Sequence, residues 1–364
     1  MSGQPHAAPQ VKAVAAAALL CISLKYVIYE KCFGSFIAPA IPGRLMIGME
    51  MLYGTMVILC FLLFIKDCTA LILWVSRCLG TTWVLPFSHI ARSTGILILS
   101  LGLGSWSAWQ AVRVPDIRTV EIHLPRMDRH LDGFSIVQLS DLHIGSLLNK
   151  AWLEKVVEKT NSLAPDLIAV TGDMIDSYPE NLKGDVAALG LLSSKYGVFG
   201  VAGNHEYYFR EKEWRIVFES MGITMLNNGH RVVTDQSGAK IVVAGVPDPA
   251  ASRFSGEGPD AAKAMQGAPA NATRILLSHR PNVESGKARA DIQLSGHTHG
   301  GMFFFLKILL AHFNGGLVCG LYNLDGTQLY VSPGTGLWAG FSCRLGVPSE
   351  ITRIVLRKRQ AIAD

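Results

Sequence analysis

Charged residues are scarce in this sequence. Only 17% of its 364 residues are Asp, Glu, Lys or Arg, whereas 49% are hydrophobic, and the mean hydropathy is +0.30. An ordinary soluble chain carries about 25% charged residues, so this composition is too apolar for a protein that is soluble along its whole length. We therefore expect part of the chain to lie in a lipid bilayer.

Two further features are missing, and each absence weakens a class of function. The net charge of +5 is not concentrated in a long Lys/Arg run or a basic-aromatic stripe, so we expect no nucleic-acid partner. No CxxC spacing occurs among the seven cysteines, so nothing supports a thiolate metal site. Only Cys319 and Cys343 lie outside the apolar half, and the sequence leaves open whether they form a disulfide or stay free.

The apolar excess lies almost wholly before residue 112. The remainder alternates between strand-like runs, amphipathic stretches and polar turns, as in a water-soluble α/β domain. We therefore expect a membrane region at residues 1–112 and a second domain at residues 113–364.

The membrane region contains four candidate spans. Three stretches are long enough, at about 17 to 25 residues, to cross the hydrocarbon core as helices. They lie at residues 45–65, 69–87 and 94–110, and a shorter fourth stretch at residues 14–29 contains Lys25. We predict a multi-pass membrane protein with about four transmembrane helices, with three as the alternative.

Two charged residues, Glu50 and Arg77, fall inside the predicted spans, where a charge costs at least about 2.5 to 3.5 kcal/mol unless it faces protein or water. A hairpin turning at residues 66–68 would separate their heights by roughly 10 Å, so we expect no ion pair between them. We expect Arg77 to reach toward the interface and Glu50 to lie near it. The flanking positive charges do not segregate, which leaves the membrane side of the second domain open, and the oligomeric state is open as well.

Beyond residue 112 one pattern recurs five times: an apolar, strand-like run ends in Gly, Ser or Thr followed by Asp, Asn or His. The five segments are FSIVQLSDLH (134–143), LIAVTGD (167–173), VFGVAGNHE (198–206), RILLSH (274–279) and DIQLSGHTHGG (291–301). Stretches at residues 150–161 and 211–220 have helical spacing. In an open α/β sheet the binding crevice lies beyond the carboxyl ends of the strands, so we expect the five polar tips to converge.

The side chains at these tips are suited to metal ions. They are Asp141, His143, Asp173, Asn204, His279, His297 and His299. Their oxygen and imidazole ligands suffice for two metal ions in mixed coordination. Within D-x-H and H-x-H the two ligands are two residues apart, so both project to one side of an extended backbone. One such motif alone often only closes a turn, but the five together predict a metal site.

At these residues the sequence resembles the calcineurin-like metallophosphoesterase superfamily, from about residue 121 to the C terminus. The layout, with apolar spans before the domain and YVSPGTG and PSEITRIVLR near its end, is similar to the membrane-attached branch of that superfamily. The resemblance implies an α/β (α+β) four-layer sandwich of two mixed β-sheets flanked by helices, preceded by an all-α transmembrane region. Met302 departs from the branch, whose members often carry Gln after HTHGG.

The resemblance also implies roles for the clustered residues. One metal ion would be held by Asp141, His143 and His299, and the other by Asn204, His279 and His297, with Asp173 bridging both. His205 would be an acid outside the metal coordination. Imidazole-rich coordination favours two divalent ions of Mn, Fe or Zn over Ca²⁺.

These inferences predict a metallophosphoesterase, a hydrolase acting on phosphoric ester bonds. Two ions about 3.5 to 4 Å apart would activate a bridging hydroxide for in-line attack on a phosphodiester, phosphomonoester or pyrophosphate. His205 would stabilise the leaving oxygen, a contribution of about 10² to 10⁴-fold. The alternative is a transporter or receptor-like membrane protein with an accessory metal-binding domain, in which Glu50 and Arg77 form the essential site.

The apolar stretch MFFFLKILLAHF at residues 302–313 follows HTHGG directly. It predicts either a lip that dips into lipid beside the site or a helix or strand in the core. Together with the short linker after the last span, the first interpretation suggests a lipid-linked phosphoester substrate, such as a glycolipid or a nucleotide-linked lipid.

Overall fold

The computed structural model describes residues 9–81, 83–254, 256–282 and 290–358. The chain divides into two units. The first contains the described residues up to Gln110 together with Gly340–Leu345, and the second contains the other described residues from Ala111 onward. This division falls close to the predicted boundary at residue 112. A short segment from the C-terminal part of the chain nevertheless belongs to the first unit.

Four helices form the described residues of the N-terminal part of the chain. They are α1 (Pro9–Ser23), α2 (Lys25–Phe33), α3 (Gly43–Cys78) and α4 (His89–Val112). Among the described residues, α3 and α4 are long and apolar enough to cross a membrane, and a third candidate exists if α1 and α2, bent by 65°, count as one span. The described residues therefore contain two or three candidate spans and not the predicted four, and the alternative of three stays a prediction.

The predicted division of residues 45–87 into two spans is wrong. Helix α3 continues for 36 residues through the expected turn at residues 66–68. No Gly or Pro lies between Gly54 and the end of α3 at Cys78, and the Thr69 hydroxyl donates to the carbonyl oxygen of Ile65 at 2.8 Å, within the helix. Polar residues alone therefore do not break this helix.

A buried ion pair lies inside the first unit. The Lys25 ammonium donates to both carboxylate oxygens of Glu50 at 2.9 Å and to the carbonyl oxygen of Gly340 at 2.7 Å. The Tyr29 hydroxyl and the backbone N–H of Ser342 also donate to the Glu50 carboxylate, each at 2.9 Å. Paired charges with satisfied hydrogen bonds are the form in which ionised groups tolerate an apolar interior.

This network gives Glu50 a partner that the sequence did not suggest. The side chain is buried among protein groups, and its partner is Lys25, a residue of a different helix. Its place near the membrane interface stays a prediction. Arg77 is exposed in the last turn of α3, away from this network. The Lys25–Glu50 pair also holds Gly340 and Ser342, and therefore fixes the Gly340–Leu345 segment within the first unit.

We predict that Glu50→Ala destabilises the first unit, because the Lys25 ammonium would stay buried without a counter-charge. Removing one partner of such a pair costs about 3 to 5 kcal/mol, which corresponds to a fall in the unfolding midpoint on the order of 10 °C. Thermal unfolding of the full chain in detergent measures this. Arg77→Gln is the control and should change little, and the double change Lys25→Met with Glu50→Met should recover much of the loss. Unchanged unfolding of Glu50→Ala would contradict the assignment.

The second unit is built from strands and shorter helices. Within the described residues its strands are β1 (Asp116–Leu124), β2 (Ser135–Leu139), β3 (Leu167–Thr171), β4 (Val198–Val201), β5 (Ile223–Met225), β6 (Gly229–Thr234), β7 (Lys240–Gly245), β8 (Thr273–Leu277), β9 (Ile292–Ser295), β10 (Gly320–Leu324), β11 (Thr327–Val331) and β12 (Glu350–Lys358). Its helices are α5 (Lys150–Ser162), α6 (Pro179–Leu182), α7 (Asn204–Tyr208), α8 (Glu211–Ser220), α9 (Ala261–Ala264) and α10 (Lys307–Phe313). The helices predicted at residues 150–161 and 211–220 are confirmed as α5 and α8.

The strands form two mixed six-stranded sheets, which confirms the predicted α/β architecture. The order of the first is β1-β12-β2-β3-β4-β5, and that of the second is β10-β11-β9-β8-β7-β6. In the first sheet β2 to β5 run parallel, and in the second β7, β8, β9 and β11 run parallel. The polar tips of β2, β3 and β4 consequently lie at one edge of their sheet, and those of β8 and β9 at one edge of the other.

Apolar side chains from both sheets form a shared core. The cluster includes Ile136, Leu167, Val201, Val243, Leu277 and Leu294. Each such side chain contributes about 1.5 to 3 kcal/mol when fully buried, so the two sheets form a rigid support for the loops that follow their strands.

The segment after HTHGG lies outside the core. Phe303 is buried, but no residue of α10 is, and the side chains of Ile308 and Phe313 are 83% and 71% exposed. The interpretation as a core helix or strand is therefore wrong for residues 304–313.

Both Cys319 and Cys343 are free thiols.

Candidate metal centre

The strand ends turn sharply at the clustered residues. Positive φ angles occur at Asp141 (54°), His143 (47°), Asp173 (52°), His297 (70°) and His299 (49°). Side-chain-bearing residues seldom adopt this conformation, which costs of order 1 kcal/mol or more and persists only where the surrounding structure enforces it. The fold therefore holds the backbone of five residues of the cluster in a strained conformation.

Two glycines permit this close approach of the loops. A Cβ on Gly203 would lie 2.2 Å from Oδ1 of Asp173, and one on Gly296 would lie 2.3 Å from Oδ2 of Asp141. Both distances are far below van der Waals contact. Any larger residue at either position would displace a carboxylate of the cluster.

Asp173 lies at the centre of the cluster. Its Oδ2 atom is 3.1 Å from Nε2 of His279 and 3.8 Å from Nε2 of His143. Its Oδ1 atom accepts a hydrogen bond of 2.9 Å from the backbone N–H of His205. One carboxylate thus contacts residues from both sheets.

The sequence-predicted residues meet in overlapping groups. The first group is Asp141, His143 and His299, and the second is Asp173, His279 and His297. A third group joins His143 and Asp173 to His205. In each group one ligand atom per residue lies within 4.8 Å of the others. Asn204 opens α7 immediately before His205 and is buried. The structure therefore places these residues at the tips of both sheets, as the strand pattern predicts.

Side-chain orientation fits divalent metal ions. His143 directs Nδ1 to the carboxylate of Asp176 at 2.8 Å, and His279 directs Nδ1 to the carbonyl oxygen of Thr171 at 2.8 Å. Such contacts fix a ring so that Nε2 faces the ligand position. Nε2 of His143 and Oδ1 of Asn204 are buried and have no hydrogen-bond partner among the residues that the structure describes. Buried polar atoms without partners suit coordination to a cation.

Sequence analysis missed two carboxylates that organise the cluster. Oδ1 of Asp176 contacts Nδ1 of His143 and, at 2.6 Å, Nδ1 of His205. The Glu206 carboxylate accepts hydrogen bonds from the backbone N–H groups of Asp173, Met174 and Gly203 at 2.6 to 2.9 Å. Glu206 was visible in the GNHE motif, whereas Asp176 follows Asp173 in a turn that no periodicity marks.

The charges around His205 favour its cationic form. Burial would lower the pKa of His205, but the carboxylates of Asp173 and Asp176 outweigh burial and raise this pKa to about 9. Metal ions beside Asp173 would oppose that rise, because they neutralise the same carboxylate. Asp176 lies on the other side of the ring and would keep its effect.

Comparison with known proteins agrees with this geometry. The family model for calcineurin-like phosphoesterase matches residues 134–301. A transmembrane protein with metallophosphoesterase domain from Danio rerio is 34% identical over 316 residues, which cover 84% of this chain and 72% of that protein. The protein of the same name from Bos taurus is 36% identical over 261 residues, covering 68% of this chain and 58% of that protein.

A bacterial relative shows the same similarity. An uncharacterised metallophosphoesterase from Campylobacter jejuni is 33% identical over 270 residues, which cover 73% of this chain and 69% of that protein. The fold and the cluster of metal-ligating side chains define a hydrolase of phosphoric ester bonds. The chain belongs to the calcineurin-like phosphoesterase family.

We predict that Asp176→Ala lowers the affinity for metal ions about 10 to 100-fold, because His143 loses the acceptor that orients its ring. The affinity is measured by isothermal titration calorimetry, in which Mn²⁺ is added to the metal-stripped protein. Asp325→Asn, in an exposed turn, is the matched control. An Asp176→Ala protein that binds Mn²⁺ as tightly as the wild type would show that Asp176 does not position His143.

Proposed function

We propose that this protein is a dinuclear metallophosphoesterase that hydrolyses a phosphodiester, phosphomonoester or pyrophosphate bond. One metal ion would be held by Asp141, His143 and His299, and the other by Asn204, His279 and His297, with Asp173 shared between them. Mn, Fe or Zn suit this mixture of oxygen and imidazole ligands. When bound, two such ions polarise phosphoryl oxygens and lower the pKa of water.

The central position of Asp173 carries this proposal. Its Oδ2 atom lies within 4 Å of Nε2 of His143, in the first group, and of His279, in the second. A carboxylate between two imidazole-containing groups has the arrangement that a shared ligand requires. Two independent metal sites would not need a common carboxylate.

We assign His205 the role of a proton donor, although its ring also lies within ligand distance of His143 and Asp173. Its Nδ1 atom is engaged by Asp176 at 2.6 Å, and its Nε2 atom lies 3.9 Å from Oδ2 of Asp173. Nε2 therefore lies on the side of the ring that faces the proposed metal ligands, where a phosphoryl group would bind. A protonated ring can donate to that oxygen, a contribution of about 10² to 10⁴-fold in rate.

We predict that Asp173→Ala, Asn204→Ala and His297→Ala abolish hydrolysis through loss of metal, whereas His205→Ala keeps the metal and lowers kcat about 10² to 10⁴-fold. Metal content by mass spectrometry and hydrolysis of bis(4-nitrophenyl) phosphate separate the two effects. His123→Ala, an exposed histidine on β1, is the control. Full activity in the Asp173→Ala protein would refute the dinuclear proposal.

We further propose multi-pass attachment to a membrane and a lipid-linked substrate. Support comes from the apolar spans and from α10, which begins six residues after Gly301 and exposes Ile308, Leu309 and Phe313. An exposed apolar helix of this kind costs solubility unless a bilayer or an apolar ligand covers it. The alternative of a transporter rests on Glu50 and Arg77. The Glu50 carboxylate already accepts hydrogen bonds from Lys25, Tyr29 and Ser342, so it is a poorer candidate for a transport site.

We predict that Ile308→Glu combined with Leu309→Glu lowers the rate on a lipid-embedded substrate and leaves the rate on a soluble one unchanged. The assay compares hexadecyl 4-nitrophenyl phosphate in vesicles with ethyl 4-nitrophenyl phosphate in solution. Ile216→Glu, an exposed apolar position on α8, is the matched control. Equal loss on both substrates would contradict a lipid-contacting role for α10.

A further inference from the structure

An aromatic groove opens beside the metal centre in the second unit. It has a volume of about 750 Å³, and its walls include Tyr178, Tyr207, Tyr208 and Phe254. This volume lies in the range of small-molecule sites, about 300 to 1,000 Å³. Among the described lining residues, none belongs to the metal-ligating groups.

The groove lies on the His205 side of the metal centre. The rings of Tyr208 and His205 have centroids 5.5 Å apart, and Nε2 of His205 is 3.9 Å from Oδ2 of Asp173. A phosphoryl group at Asp173 that extends past His205 therefore reaches Tyr208. Because the proposed function makes His205 the donor to the leaving oxygen, the part of a substrate on this side of phosphorus would be its leaving group.

The walls present rings rather than aliphatic side chains. Phe254 is 49% exposed and Tyr178 is 40% exposed. The rings of Tyr207 and Phe254 lie nearly parallel, 26° apart, and Tyr208 contacts the same phenylalanine at a centroid distance of 6.2 Å. Ring faces of this kind stack on flat rings, and each stacked base contributes about 1 to 3 kcal/mol in other proteins.

The charges lining the groove do not favour an anion. Arg210 is held by the carboxylates of Glu180 and Glu213 and lies over the ring of Tyr178 at 4.7 Å. The other charged lining residues are Glu211, which is paired with Arg215, and Lys212. Three carboxylates thus face two cations. A second phosphate would gain little here, whereas an uncharged ring would meet no electrostatic penalty.

We infer that this groove binds a flat, uncharged aromatic ring in the leaving group of the substrate. The inference rests on the proposed function, because it places the scissile phosphoryl group at Asp173. The substrate class is therefore a phosphoester or pyrophosphate whose leaving group carries such a ring.

The test compares two non-hydrolysable ligands of similar size, benzylphosphonate and cyclohexylmethylphosphonate, by calorimetry on the full chain in detergent with Mn²⁺. We expect the aromatic ligand to bind about tenfold more tightly to the wild type. Tyr208→Leu combined with Phe254→Leu should abolish that preference through the loss of two ring faces. Ile216→Ala, outside the groove, should keep the preference.

Parallel hydrolysis of bis(4-nitrophenyl) phosphate separates the two proposals. If the protein hydrolyses bis(4-nitrophenyl) phosphate but binds the two phosphonates equally, the groove inference is overturned and the proposed hydrolase function stands. The same holds if the preference for the aromatic phosphonate survives the double change. A ring preference that the double change removes, without hydrolysis, supports the groove and refutes the proposed function. A protein that does not hydrolyse bis(4-nitrophenyl) phosphate and binds neither phosphonate would overturn both proposals.

Discussion

The arrangement of the metal centre depends on the carboxylate of Asp173. It lies between imidazoles from both sheets, and its loop is fixed from behind by Glu206, which accepts the backbone N–H groups of Asp173 and Met174. Gly203 must lack a side chain for this carboxylate to fit. Several rare local features, including positive φ angles at five clustered residues, are thus maintained to hold one acidic group in the interior.

The two-sheet core explains why such strain is tolerated. Buried apolar strands from both sheets share one cluster, so their carboxyl ends have fixed positions before any ligand is bound. Preorganised side chains need little rearrangement when a charged substrate binds. This saved reorganisation energy is the main source of electrostatic catalysis. The same rigidity keeps Asp176 in contact with two imidazoles, so that orientation of a candidate ligand and of the candidate acid depends on one carboxylate.

Much of the second unit could be predicted from the sequence, because its signals are local. A continuous apolar run followed by Gly-Asp or Gly-Asn-His marks a strand end, and parallel strands bring such ends to one edge. Asp176 could not be found in this way, since its role depends on the direction of two rings. The pairing of Glu50 with Lys25 depends on packing between helices, and its contact with Ser342 joins residues 292 positions apart. Lys66 and Asp67 interrupt the apolar run and so favour a turn at residues 66–68, but without a Gly or Pro there α3 continues to Cys78.

The central claim is that one carboxylate is shared by two metal ions. Anomalous diffraction from crystals of the full chain grown with Mn²⁺ tests it most directly. The account predicts two anomalous peaks flanking the Asp173 carboxylate, about 3.5 to 4 Å apart, with His143 beside one and His279 beside the other. A single peak, or peaks that do not contact Asp173, would contradict it.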